Sequence, residues 1–99
     1  MEALKINVNR QLDGYAFSIG PSVRKKLKSW FPNAYPANSL FLSYDIQSEF
    51  KLQFDKFEGN IFPVLFGIGD QNELSKKVDE ILFVDSQTGL VLHKHKVAA

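Results

Sequence analysis

Two histidines near the end of the chain have the spacing of a possible metal site. His93 and His95 are two residues apart, so on a strand both side chains would project from the same face, as two ligands of one metal ion do. A site needs a third protein ligand, and no acidic residue or further histidine lies close in sequence. The sequence therefore predicts no metal and no other cofactor, unless the fold brings an Asp or Glu from the middle of the chain to the pair.

Four basic side chains lie close together, and aromatic residues follow them directly. The four are Arg24, Lys25, Lys26 and Lys28. A basic helix beside Trp30 and Phe31 could hold phosphates, which makes nucleic-acid binding one hypothesis. The alternative is that these cations only cover the polar face of an amphipathic helix. The net charge of +1 is too close to neutral to favour nucleic acid by itself.

The sequence contains no recognisable catalytic arrangement. It lacks cysteine, and both histidines fall on one predicted strand. Gly67 and Gly69 precede a predicted helix as in a phosphate-binding loop, but Asp70 at the helix start would repel an anion. The pair Asp79-Glu80 is explained by an exposed helix face. We therefore predict that the protein is not an enzyme.

Composition indicates one domain over residues 1–99. An apolar fraction of 44% in 99 residues is sufficient for a single core. The first ten residues do not have the pattern of a signal peptide, and no apolar stretch reaches the ~20 residues that cross a bilayer. Together with the absence of cysteine, these features predict a cytoplasmic protein that does not interact with membranes.

Apolar spacing predicts the elements that position these residues. Residues 4–8 and 15–19 alternate apolar with polar and indicate a hairpin with a loop of about five residues. Helix 1 begins at Gly20-Pro21-Ser22 and ends before Pro32. Alternation over 40–46, 50–54 and 62–68 predicts a three-stranded meander, in which Pro63 indicates that the last strand lies at a sheet edge or begins just after the proline.

A second helix and a final hairpin complete the prediction. Asp70 and Glu73 form a capping box, and the spacing of Leu74, Val78, Ile81 and Leu82 predicts a helix through residue 82. Residues 83–84 and 90–92 then form strands joined by a turn in which Gly89 adopts a positive φ.

The predicted fold is α+β in the order ββαβββαββ. It is a mainly antiparallel sheet of six or seven strands with two amphipathic helices on one face. We expect these residues in the core: Leu4, Ile6, Val8, Phe17, Leu27, Trp30, Leu42, Leu52, Phe54, Val64, Phe66, Leu74, Val78, Ile81 and Leu90.

One segment resembles a known class of proteins. A strand containing proline and glycine, followed later by Val-Asp-Ser-Gln-Thr-Gly-Leu-Val at residues 84–91, resembles the C-terminal part of small immunity proteins that neutralise bacterial toxins. The resemblance covers less than a third of the chain and assigns no residue a role.

By elimination, the sequence predicts a small protein-binding domain, with an inhibitor or toxin-immunity protein as examples. Tyr35, in a proline-bounded loop, and Phe41, which points opposite to its strand neighbours, are the candidate partner contacts. Arg24, Lys25 and Lys28 would form a charged rim. The alternatives are that Tyr35 caps the core and Phe41 packs under a helix, or that the basic helix binds nucleic acid. A homodimer is also possible.

Overall fold

The computed structural model describes residues 2–43 and 61–97, which form an α+β fold. Five strands, two α-helices and one π-helical turn follow one another along the chain. They are β1 (Glu2–Gln11), β2 (Gly14–Ile19), α1 (Pro21–Trp30), β3 (Ser39–Ser43), the π-helical turn (Ile61–Leu65), α2 (Gln71–Ser75), β4 (Val78–Asp85) and β5 (Val91–Lys96).

The five strands form one mixed sheet in the order β3-β2-β1-β4-β5. Its two hairpins, β1-β2 and β4-β5, are antiparallel, as is the β2-β3 pair. The central pair, β1 and β4, is parallel. The sheet is therefore mainly antiparallel, as predicted, but the described chain contributes five strands rather than six or seven.

The first hairpin confirms the predicted alternation. Val8 pairs with Phe17 and Ile6 with Ile19, so apolar side chains of both strands point to one face. The connection is shorter than expected, because Gln11 already pairs with Gly14 and only Leu12 and Asp13 lie between them.

One face of the sheet carries the main buried cluster, and the opposite face is more exposed within the described residues, apart from Val84, which is 6% exposed. The buried face, called the core face here, carries Leu4, Ile6, Val8, Tyr15, Phe17, Ile19, Leu42, Val78, Ile81 and Phe83. Leu27 of α1, Leu74 of α2 and Leu65 of the π-helical turn belong to the same buried cluster, which places both helices on the core face as predicted. The opposite, outer face carries Ala3, Lys5, Asn7, Asn9, Ala16, Ser18, Phe41, Glu80, Leu82, Lys94 and Lys96.

Helix α1 begins and ends where the sequence predicts. Gly20 precedes it in an extended conformation and Pro21 occupies the first turn, where its missing N–H costs no hydrogen bond. No side-chain hydrogen bond caps the start of this helix, since Gly20 occupies the N-cap position. The helix ends at Trp30 because Pro32 disfavours helical geometry at Phe31, which has φ −130° and ψ 82°.

The predicted strand 62–68 is wrong. Residues 61–65 form a π-helical turn that buries Ile61, Phe62 and Leu65, whereas Val64 is 44% exposed and does not join the core. The apolar run fits both a strand and a helical turn, so its period could not distinguish them. The turn closes where the Ile68 amide donates to the Phe62 carbonyl at 3.2 Å, with Gly67 at φ 68° between them.

The predicted second helix is also wrong beyond its first turn. Asp70 caps α2 by accepting from the Asn72 amide at 2.9 Å, but α2 ends at Ser75 and β4 begins at Val78. The pairing of β1 with β4 shifts between Glu2 and Ala3, which leaves Asp79 as an extra residue in a bulge. The bulge brings Val78 and Ile81 to the same face, so a strand mimics the three-residue spacing of a helix.

The hairpin between β4 and β5 confirms the predicted turn. Gly89 has φ 77°, and its amide donates to the Asp85 carbonyl at 2.9 Å. The Asp85 carboxylate accepts from the amides of Thr88 and Gln87, and these hydrogen bonds lower the pKa of this carboxyl. Leu90, predicted in the core, is 66% exposed because it lies at the mouth of this turn.

Several predictions fall outside the described residues or are met only in part. The strand 50–54, the end of the strand 40–46, and the core positions Leu52 and Phe54 lie in the part not described. Trp30 is partly buried against the core rather than fully inside it. No helix of the described chain is long and apolar enough to span a membrane.

Candidate protein-binding site

The loop between α1 and β3 is held by backbone contacts at several points. The Ala34 amide donates to the Phe31 carbonyl at 2.9 Å, and the Ala34 side chain is buried. Farther along, the Ala37 amide donates to the Leu65 carbonyl of the π-helical turn at 3.0 Å. The loop is therefore anchored both to the end of α1 and to the π-helical turn.

Gly67 supports the backbone of this loop at Tyr35. A side chain at Gly67 would place its Cβ within 2.7 to 2.8 Å of the Tyr35 backbone nitrogen, carbon and oxygen atoms. Real Cβ atoms do not approach that closely, and the φ of 68° is one that glycine adopts readily. Glycine is thus required here both for its conformation and for its size.

Tyr35 is exposed although its neighbours on both sides along the loop are held in place. Its side chain is 81% exposed, whereas Ala34 next to it is 5% exposed. The Lys28 ammonium lies 4.6 Å from the centroid of the Tyr35 ring and also donates to the Ala34 carbonyl at 2.9 Å. The contact between this cation and the ring is favourable and limits the orientations of both side chains.

Two further cations of α1 flank this site. The Arg24 guanidinium donates to the Asn38 side-chain oxygen at 2.7 Å, which fixes it beside the far end of the loop. Lys25 is exposed one turn before Lys28. Lys26 instead forms an ion pair with Glu2 at the start of β1. We define the Tyr35 site as Tyr35, Lys28, Arg24, Lys25 and Asn38.

Phe41 is exposed, as predicted, but it is not part of the Tyr35 site. It lies on the outer face of the sheet, whereas α1 packs on the core face. Its side chain is 48% exposed, and the ring covers Gly14 of the neighbouring strand, where a Cβ would come within 2.6 Å of the Phe41 Cζ atom. An aromatic side chain beside a strand glycine shields the backbone there.

The two histidines lie on the core face at the edge of the sheet. The centroid of the His95 ring is 5.5 Å from that of Phe62, and His95 Nε2 is 3.3 Å from the Gln71 side-chain nitrogen. The centroid of the His93 ring is 5.9 Å from that of Phe83. Within residues 2–43 and 61–97, no three His, Asp or Glu side chains are grouped as metal ligands would be.

Sequence reasoning named Tyr35 and the α1 cations as candidates and did not identify two features of the surface. One is the support that Gly67 gives to Tyr35, which depends on a contact between residues far apart in sequence. The other is the exposed apolar and basic edge formed by β5, where Val91 is 47% and Leu92 is 39% exposed. The signal for that edge was the Leu-Val-Leu run followed by alternating His and Lys.

Comparison of the chain with protein-family models, with curated proteins and with solved structures gave no match.

Proposed function

We propose that this chain acts by binding another protein, without catalysis, and that the partner contacts the Tyr35 site. The observation that carries the proposal is an aromatic side chain, 81% exposed, on a loop that is anchored on both sides. Tyrosine is enriched among the residues that dominate binding energy, because its ring offers a large contact area and its hydroxyl a hydrogen bond. A loop that is already ordered loses little conformational entropy on binding.

The charge around the ring favours an acidic partner surface. Lys28 lies over the Tyr35 ring, Arg24 and Lys25 precede it on the same helix, and α1 has no acidic residue in its first turn. Within the described chain neither Lys25 nor Lys28 forms an ion pair, so both are available to carboxylates of a partner. Such rim charges accelerate association and select partners more than they add affinity.

The same cations are less suited to nucleic acid than the sequence suggested. Lys26 is paired with Glu2, which neutralises one of the four charges, and the net charge of the chain is only +1. The proposal therefore takes protein as the ligand class, and nucleic-acid binding is an outcome of the test.

The experiment compares recovery of partners from native lysate by the wild type and by two Tyr35 variants. Tyr35→Ala should reduce recovery of a stoichiometric partner about tenfold or more, the loss expected when an anchoring aromatic is truncated. Tyr35→Phe keeps the ring and should retain most of the recovery. Leu12→Ala is the matched control, since Leu12 is 86% exposed and lies in the turn at the other end of β2.

Melting temperatures separate binding from folding. The Tyr35→Ala variant should melt within a few degrees of the wild type, because it removes an exposed side chain. Full partner recovery by Tyr35→Ala would refute the proposal, as would an equal loss in Leu12→Ala. Retention of an oligonucleotide that falls steeply with salt and is unaffected by Tyr35→Ala would point to nucleic acid instead.

A further inference from the structure

The geometry points to a second binding surface: we propose that β5, which forms an edge of the sheet within the described residues, binds an extended acidic segment of another protein as an added strand. This inference does not depend on the Tyr35 site, which adjoins β3 at the opposite edge of the sheet. It rests on the direction of the β5 backbone groups, on two lysines beside them and on the apolar start of the strand.

The hydrogen bonds between β4 and β5 determine which backbone groups face outward. The Val97 amide donates to the Asp79 carbonyl at 3.1 Å, so in the ladder that follows the pairs Ile81-His95 and Phe83-His93 exchange backbone bonds. Lys94 and Lys96 alternate with these residues. Their amides and carbonyls therefore point away from β4, toward the edge of the described sheet.

Neither lysine side chain beside this edge forms an ion pair within residues 2–43 and 61–97. Lys94 and Lys96 are exposed on the outer face. Lys5 lies in the same cross-strand row as Lys94, separated from it by Leu82. Glu80 lies directly opposite Lys96 and offsets one of these three positive charges, so the described outer face beside the edge keeps a positive balance.

The charges beside β5 determine which kind of segment can pair with it. Residues directly opposite one another in neighbouring strands have adjacent side chains, so acidic residues opposite Lys94 and Lys96 are stabilising and basic ones are not. A second copy of this chain pairing through β5 would set lysines against lysines, which disfavours it. Exposed Val91 and Leu92 at the start of the strand favour apolar residues at one end of the segment. An acidic extended segment with alternating apolar residues fits these conditions.

Strand addition predicts a binding preference that depends on backbone pairing as well as charge. The probe is a fluorescent eight-residue peptide of alternating Val and Glu, and its control is the same peptide with its backbone amides N-methylated, which keeps the charges and removes the donors of a strand ladder. A third peptide alternates Val and Lys. The wild type should bind the unmodified acidic peptide at least tenfold more tightly than either control, because only that peptide offers both a complete set of backbone hydrogen bonds and opposite charge.

Reversing the charge of the edge should reverse the preference. The Lys94→Glu, Lys96→Glu double variant should lose the acidic peptide and bind the Val-Lys peptide instead. Lys76→Glu with Lys77→Glu is the matched control, since it makes the same charge change at exposed positions before β4 and should bind as the wild type does. Equal melting temperatures show that both variants are folded.

Amide hydrogen exchange tests the backbone pairing directly. On peptide binding, exchange at the amides of Lys94 and Lys96 should slow at least tenfold, whereas exchange at His93 and His95, which already bond to β4, should change much less. Equal binding of the N-methylated peptide, binding without protection of Lys94 and Lys96, or no binding would each overturn the proposal. The first two outcomes would show charge attraction alone, and the third would show that the edge lysines serve only to prevent strand pairing.

Discussion

Substituting individual glycines by alanine separates the two reasons why the fold requires glycine at position 67, its positive φ and the lack of space for a Cβ. At Gly69, φ is negative and a Cβ would meet nothing within 4 Å; at Gly89, φ is 77° but the space is also open. At Gly14, φ is negative but a Cβ would meet the Leu42 carbonyl oxygen and the Phe41 ring. Gly67 combines a φ of 68° with close approach to the Tyr35 backbone.

The expected losses of unfolding free energy follow from these differences. Gly69→Ala should change stability by no more than about 1 kcal/mol, in either direction. Gly89→Ala should cost about 1–2 kcal/mol, the penalty of a left-handed conformation with a side chain. Gly67→Ala carries that penalty plus a steric cost of about 1–3 kcal/mol, because the Tyr35 backbone must move. Gly14→Ala carries the steric cost alone.

Urea unfolding measures the series, with Trp30, the only tryptophan of the chain, as the fluorescent probe. The midpoint of Gly69→Ala should be the highest, and that of Gly67→Ala should lie below that of Gly89→Ala. Gly14→Ala, whose Cβ would clash with the Leu42 carbonyl oxygen, should also lie well below Gly69→Ala. A slope that stays constant across the variants shows that the midpoints report stability. If Gly67→Ala and Gly89→Ala unfold at the same urea concentration, the Tyr35 backbone does not lie against Gly67 and the account of the anchored loop is wrong.

Two further predictions concern the π-helical turn and the β4-β5 turn. Leu65→Asp should unfold the protein, since it places a carboxylate at a site that is 0% exposed. Val64→Asp changes a site that is 44% exposed and should leave the melting temperature within a few degrees of the wild type. The opposite result would support the strand that the sequence predicts. The pKa of the Asp85 carboxyl, measured by NMR, should lie below the ordinary value of 3.8, because the Thr88 and Gln87 amides stabilise the charged form. A lowered pKa contributes stability that is present above about 3.8 and lost as the pH falls through the folded-state value, so Asp85→Asn should weaken this acid dependence. An unshifted titration would show that these hydrogen bonds do not persist in solution.

The elements that the sequence predicted correctly are those in which local pattern and local signals agree. The first hairpin has uninterrupted alternation, and α1 has Pro21 at its start and Pro32 just after its end. The turn at Asp85–Gly89 needs only contacts within itself. In each case the stabilising interactions lie within a few residues, so a reader of the sequence sees all of them.

The incorrect elements depend on partners that are distant in the chain. Residues 78–85 form a strand because β1 pairs with them. The bulge at Asp79 interrupts the two-residue alternation of their apolar side chains, and it is visible only in the pairing with β1. In the candidate site, the exposure of Tyr35 was predicted from its proline-bounded loop, but its contact with Lys28 and its support by Gly67 were not. The separation of Phe41 from the site follows from the sheet order, which local patterns do not determine.

The parallel pairing of β1 with β4 has a consequence for synthesis of the chain. The ribosome synthesises β1 and β2 well before the strand that covers the other side of β1, Val78–Asp85, which follows only after α1, β3 and α2. Throughout that interval the nascent hairpin has an open edge along Leu4, Ile6 and Val8. Pairings between such distant segments form slowly. The growing chain is therefore exposed to aggregation through β1, and a chaperone that shields β1 should raise the yield more than one that shields β5.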